Sequence, residues 1–331
     1  MNRYLNPKIL ALLIFVSVVL FSGSAHGEQQ AADGGREPLV FFLPSKATAV
    51  FKQVEMMCDM IGEKIGVPVV LKTAEDIPIE NPTTEQLFEW AKKEAEMGNI
   101  DITVVPPTGL YMLIDAGIKM IPIATYQIDK KKTDRACLYV KKGHPAKELK
   151  TDAERIEAFR GKKVGIGHGM KSNPVAEMLL IDMGIDTPSY EYFENVGDEY
   201  GSIEDKINQI MDGTIDGVIT FKVDLKFAFY KNQELAGSIE PLVCGQEYTN
   251  IPFVIRDGLD VEIAKRFRKV LLNIHKDKDF SQLHFVFYTI NGHIVAVSSK
   301  DYENWERVYR KGRREGWLDA IGQWQLPGDG S

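Results

Sequence analysis

Cysteine is scarce in this chain: Cys58, Cys137 and Cys244 are the only three among 331 residues. No Cys/His spacing resembles a zinc site, and the six histidines are scattered, so a metal centre has no support. Positive charge is also in short supply. Forty Lys and Arg against 47 Asp and Glu give a formal charge of −7, which argues against nucleic acid as a partner. A small anionic ligand is still allowed, because a local field can differ from the net charge. The dinucleotide fingerprint is missing as well: Gly165, Gly167 and Gly169 lack the third glycine where Met170 stands. No nucleophile–base pair is evident in the loops, and the adjacent acids Asp198 and Glu199 read as solvated surface. No cofactor is expected.

Long apolar runs are limited to residues 9–21, which are short for a membrane span. With Arg3 and Lys8 before the run and Ser24-Ala25-His26-Gly27 after it, residues 1–27 read as an export signal. Removing Arg3 and Lys8, and no acid, lowers −7 by two, to −9. No cysteine lies at the expected cleavage point, so a lipid anchor there is not expected. Residues 28–37 lack apolar periodicity and read as a flexible leader. An exported chain with an odd cysteine count keeps at least one free thiol. Cys58 on an apolar helical face and Cys137 in a predicted strand are both expected to be buried and inert.

The remaining chain alternates strand and helix signals. A strand over 39–43 precedes a helix on which Phe51, Val54, Met57, Cys58, Ile61 and Ile65 recur at helical spacing until Gly66. Strands follow over 67–71, 100–105 and 120–124, and Thr83 with Gln86 fits a capping box between them. This βαβαβ order predicts a parallel sheet with helices on both faces. A crossing over 125–132 leads to a second unit with strands at 136–141, 163–167, 190–193 and 217–221. Strand 239–243 leads back, strand 251–255 and a helix over 260–274 rejoin the first unit, and an amphipathic helix over 302–317 ends the chain. The expected boundaries are 38–128 for a first lobe, 129–245 for a second, and 246–331 for the return and C-terminal helix. The fold class is α/β, two-lobed, with a ligand cleft between the lobes.

Ligands of such sheets collect at the carboxyl ends of strands. Pro44 to Thr48 and Pro106 to Tyr111 lie there, offering the hydroxyls of Ser45, Thr48 and Thr108 beside helix starts. In residues 161–184, a strand, a glycine loop and a helix start at Asn173-Pro174 together make a ready anion site. Asn173 is expected to cap that helix and Gly184 to close it.

Several ordered stretches carry a resemblance. These are Pro44-Ser45; Ile65-Gly66-Val67-Pro68-Val69; Asp101-Ile102-Thr103-Val104-Val105-Pro106-Pro107-Thr108; Phe159-Arg160-Gly161-Lys162-Lys163-Val164; Asp212-Gly213-Thr214-Ile215-Asp216-Gly217-Val218; and Ile251-Pro252-Phe253-Val254-Ile255-Arg256. Behind an export signal, the set resembles the periplasmic phosphate/phosphite/phosphonate-binding proteins of ABC importers, with a type II two-lobed fold, over nearly all of the mature chain. The resemblance implies an oxyanion held by Ser45, Thr108 and Tyr111 from one lobe and Lys171, Ser172 and Asn173 from the other. It also implies hinge closure around the ligand. The pattern departs from the family in three places. Lys171-Ser172-Asn173-Pro174 replaces Ser-Thr-Ser-Gly, a histidine is absent from residues 195–202, and an acid is replaced around Thr220-Phe221-Lys222. A cleft-facing Lys222 would repel an ammonium group and favour a compact or doubly anionic ligand.

The expected partners are a small anionic ligand and an inner-membrane ABC permease, with the protein exported to the periplasm and acting as a monomer. The alternatives are a periplasmic sensor of the same fold that signals to a membrane receptor, or a small lyase of similar fold.

Overall fold

The computed structural model describes residues 37–43, 48–79, 84–166, 174–197, 202–281 and 291–318. The expected export signal, and all of the leader but its last residue, lie outside them. The chain divides into two units, Met1–Tyr126 with Ile251–Lys300, and Gln127–Asn250 with Asp301–Ser331.

The first unit opens with β1 (Leu39–Leu43), α1 (Thr48–Ile65), β2 (Val69–Thr73), α2 (Thr84–Glu96), β3 (Ile102–Val104), α3 (Pro107–Asp115) and β4 (Met120–Tyr126). The chain then builds the second unit from β5 (Thr133–Lys141), α4 (Asp152–Glu157), β6 (Lys163–Ile166), α5 (Val175–Asp182) and α6 (Ser189–Tyr192). That unit continues through β7 (Asn195–Gly197), α7 (Ile203–Asp212), β8 (Gly217–Phe221), α8 (Lys222–Lys231) and β9 (Ile239–Thr249). It returns to the first unit as β10 (Pro252–Arg256), α9 (Val261–Asn273) and β11 (Ile294–Ala296), and ends as α10 (Glu303–Arg314) in the second.

The apolar run of β1 is explained by burial on both faces, as in strands covered by helices on either side. Successive side chains point to opposite faces. Phe41 therefore packs in the core with Cys58, Ile61, Ile65, Phe267 and Leu271 of α1 and α9. Phe42 packs with Leu110, Leu113 and Trp90 of α2 and α3, its ring 5.4 Å from that of Trp90. Of the helical face read from the sequence, Val54, Cys58, Ile61 and Ile65 are buried and Met57 is half-buried.

The first sheet is mixed rather than parallel, in the order β11-β4-β10-β3-β1-β2. Strand β1 runs parallel to β2 and β3, but the returning β10 inserts antiparallel between β3 and β4. Local order could not reveal this, because β10 arrives more than 100 residues after β4. The second sheet has the order β7-β6-β8-β5-β9, with β6 parallel to β7 and β8, and β5 antiparallel to β8 and β9.

Three further expectations change. Residues 190–193 form the end of a helical turn rather than a strand, and the strand lies at Asn195–Gly197. The Tyr192 and Phe193 N–H groups donate back to the Pro188 and Ser189 carbonyls rather than across a sheet, and buried Glu177 of α5 accepts from the Ser189 hydroxyl at the start of the turn. Cys137 is not a free buried thiol. It faces Cys244 across the β5–β9 pair and is disulfide-bonded to it, leaving Cys58 as the free, buried cysteine. The C-terminal helix belongs with the second unit. Its buried Trp305 donates to the Thr249 carbonyl at 2.8 Å, and Arg307 reaches the Asp182 carboxylate at 2.6 Å.

Candidate functional site

In the first unit, β3 delivers the chain through Pro106 into α3. Pro106 occupies the N-cap, and its own side chain makes no capping hydrogen bond. Thr108 lies in that turn and Tyr111 one turn further on; both are buried, at 1% and 5% exposure. Thr48 opens α1 after β1. Ser45 lies outside the described residues.

In the second unit, β6 ends at Ile166 and α5 resumes at Val175. Lys171, Ser172 and Asn173 lie outside the described residues. The cap position is held by Pro174, not Asn173, with no side-chain hydrogen bond, and the Met178 N–H donates to the Pro174 carbonyl at 2.8 Å. Gly184 follows the helix in the left-handed region, with φ of 76°. At both of these helix starts the N-cap is a proline whose own side chain makes no capping hydrogen bond, and a helix N-terminus favours an anion.

Lys222 is the first residue of α8 and is exposed. Its ammonium pairs with Asp129 at 2.8 Å, and Lys226 pairs with the same carboxylate. Two lysines thus share one carboxylate, which leaves one positive charge in excess, and the Lys222 charge also acts on Asp134.

Four residues that the sequence reading did not select gather at the same end of the second sheet. The Thr220 hydroxyl, at the end of β8, donates to Asp224 Oδ2 at 2.6 Å. The Phe221 backbone N–H also donates to this carboxylate, which lies in the first turn of α8. Asp134 at the start of β5 accepts from the Val223 N–H at 3.0 Å and from the Arg135 N–H at 2.8 Å, so it caps α8 from a neighbouring strand. Lys206 of α7 is fully buried, and its stem crosses β6 at Gly165, where a Cβ would stand 3.2 Å from Lys206 Cδ.

Burial pushes the Asp224 carboxyl up to about 6, with Asp134 adding to the rise while the Thr220 hydrogen bond and the Lys206 charge oppose it. Burial likewise raises Asp134, against its backbone hydrogen bonds. Burial, then the Asp134 and Asp224 charges, raise the Tyr139 hydroxyl on β5. One signal was available: Thr220 and Asp224 are four residues apart, at a strand-to-helix junction, two residues beyond the position where the family's acid is replaced. The neighbouring contributions of Asp134 and Lys206 depend on sheet order. Among the described residues, no group of three or more His, Cys, Asp or Glu side chains is placed to hold a metal ion.

A family model for the periplasmic substrate-binding protein of phosphonate ABC transporters matches residues 40–302. The chain belongs to that family. It is accordingly a mixed α/β solute-binding protein of the type II periplasmic-binding fold, a component of an ABC importer and not an enzyme. As a member of this family it binds a small ligand and works with a membrane permease. Among solved structures, it is similar to PhnD1 from Prochlorococcus marinus (MIT 9301) in complex with methylphosphonate, with 17% identity and a TM-score of 0.60 over 84% of this chain and 98% of the other. It is also similar to a binding protein component of an ABC phosphonate transporter from Pseudomonas aeruginosa, with 13% identity and a TM-score of 0.58 over 86% and 91% of the two chains. XAC2383 from Xanthomonas citri, bound to chloride, matches at 14% identity and a TM-score of 0.60 over 84% and 98%. At these identities the likeness concerns the fold. No curated protein sequence matches the chain.

Proposed function

We propose that this protein captures a small phosphorus oxyanion (phosphate, phosphite or a small phosphonate) in the periplasm as a monomer and delivers it to an inner-membrane permease. The observation that carries the reading is the pair of proline-capped helix starts at Pro106 and Pro174, each following a parallel strand. Family membership supports the anion class, and the bound methylphosphonate of the Prochlorococcus protein is one example of it. Ser45, Thr48, Thr108 and Tyr111 are the proposed ligand groups of the first unit, and Lys171, Ser172 and Asn173 those of the second. Lys222, which shares Asp129 with Lys226, is the proposed selectivity group, disfavouring a ligand that carries an ammonium. Residues 1–27 are proposed to be removed on export.

Hydrogen bonds to a charged group contribute about 1.5–3 kcal/mol each, so losing one weakens binding roughly 10- to 100-fold. Calorimetry on the secreted protein, its N-terminus read by mass spectrometry, is expected to show binding of phosphate, phosphite or methylphosphonate. Thr108→Ala and Ser172→Ala are each expected to weaken that binding by one to two orders of magnitude, with little change in melting temperature. Unaltered affinity in both variants would place the site elsewhere.

A further inference from the structure

The three cysteines belong to two separate cores. Cys58 is buried in the first-unit cluster with Phe41, Ile61, Ile255, Phe267 and Leu271, whereas Cys137 lies in the second-unit cluster and is bonded to Cys244. A bond from Cys58 to either of the others would draw it out of its core, so the fold admits one of three possible pairings. Chain statistics favour another. Cys58 and Cys137 are 79 residues apart (137 less 58), Cys137 and Cys244 are 107 apart, and Cys58 and Cys244 are 186 apart (244 less 58). Closure probability falls as the three-halves power of loop length, so an unfolded chain forms the native bond in only about one third of cases, against about half for Cys58–Cys137.

The order of appearance adds to this bias. In a chain exported N-terminus first, Cys58 and Cys137 emerge before Cys244. Native structure arrives too late to separate them. The core that seals Cys58 needs Ile255, Phe267 and Leu271, and β9, which carries Cys244, is held at its end by Trp305 through the Thr249 carbonyl. All four of these residues follow Cys244 in the chain. The β5–β9 register also shifts between Arg135 and Cys137 and again between Leu138 and Tyr139, so the ladder is interrupted beside the bond.

We propose that this protein depends for its maturation on a thiol-exchanging protein partner, a disulfide isomerase, which converts a Cys58–Cys137 bond into the native Cys137–Cys244 bond. The inference rests on the export reading given above, which supplies the oxidising compartment. The wrong bond forms when the Cys58 and Cys137 thiols pass two electrons and two protons to an oxidising protein disulfide, which becomes a dithiol. In the rearrangement the partner's thiolate attacks the Cys137 sulfur, forming a mixed disulfide and releasing Cys58 as a thiolate, which takes up a proton. The Cys244 thiolate then attacks the same sulfur and expels the partner's thiolate. This second stage involves no net oxidation, so the partner acts in its reduced form.

The test is oxidative refolding of the secreted protein after unfolding and reduction, with the pairing read by peptide mass mapping. In air with trace copper and no free thiol, the wild type is expected to hold the native bond in about one third of molecules and Cys58–Cys137 in about half. Reduced and oxidised glutathione together with a disulfide isomerase are expected to raise the native share about two- to threefold. Cys58→Ala, and Cys58→Val as a second filling of the same core, are expected to reach the native bond equally under both conditions. Native pairing of nearly all wild-type molecules without free thiol overturns the inference, and so does an undiminished thiol requirement in both variants. A second arm follows secretion. A host lacking disulfide isomerase activity is expected to yield several-fold less folded wild type but undiminished Cys58→Ala. Equal wild-type yields with and without the isomerase also overturn the inference. Should the secreted wild type titrate three thiols when unfolded without reductant, the bond does not form in that compartment, and the periplasmic reading falls together with the inference.

Discussion

At the scale of single residues, Gly217 shows how closely the second sheet is drawn together. It opens β8, and a Cβ there would stand 2.9 Å from both the Leu138 side chain and the Tyr139 carbonyl of β5. A side-chain terminus could turn away, but the carbonyl belongs to the β5 backbone, which pairs with β8 at Tyr139 and Val218. Gly217→Ala therefore forces the two strands apart. Overpacking of this kind costs typically about 1–3 kcal/mol. Urea denaturation of the variant is expected to show a lower midpoint with an unchanged slope, the two together giving a stability loss of that size. An unchanged midpoint would mean that β5 gives way freely.

At the scale of elements, the disulfide and the terminal helix together fix β9. Cys137 and Cys244 are directly opposed in the β5–β9 pair and lie 107 residues apart in sequence. Cross-linking a loop near that length removes unfolded-state entropy worth roughly 4–5 kcal/mol in the chain model, and measured values are typically about 2–4. Reduction, or the double change Cys137→Ser with Cys244→Ser, is expected to lower the melting temperature clearly. Thiol counting checks the assignment independently: the unfolded, unreduced chain should titrate one thiol, and the reduced chain three. In the folded protein Cys58 should stay unreactive, because burial pushes its thiol up to about 12. Helix α10 grips the other end of β9. Trp305 holds the Thr249 carbonyl and packs edge-on against Tyr248, whose hydroxyl shares Asp182 with Arg307.

At the scale of the whole molecule, the chain passes between its two units three times, after Tyr126, Asn250 and Lys300. The second unit is therefore incomplete as a continuous fragment. Residues 127–250 alone would expose the surface that buries Trp305, Val308 and Tyr309, and would lose the bonds from Tyr302 to Asn250 and from Thr249 to Asp301. That fragment is expected to melt without cooperativity in circular dichroism. Joining it to residues 301–318 through a short glycine linker should restore a cooperative transition, since the Asp301 carbonyl lies 2.5 Å from the Thr249 hydroxyl. Cooperative melting of the fragment without α10 would show that the helix is dispensable.

Sequence order by itself determined the elements whose signals are local. The apolar run of β1, the buried face of α1, the proline-marked helix starts at 106–107 and 174, and the glycine stops at 66, 184 and 213 all depend on residues within a turn or two of one another. The ordered motifs carried the family for the same reason, being short and arranged along one chain. Pairing between distant strands was decided only by the tertiary structure. Strand β10 splits β3 from β4, and Cys137 finds Cys244, because burying both faces of each sheet outweighs sequence proximity. Asp134 could not be read as a partner of α8 until β5 lay beside β8. Nor could Lys206 be read as part of that cluster, since its place depends on a glycine 41 positions earlier leaving room on β6. A charge is legible in sequence, but what neutralises it is a matter of distance, and folding sets the distances.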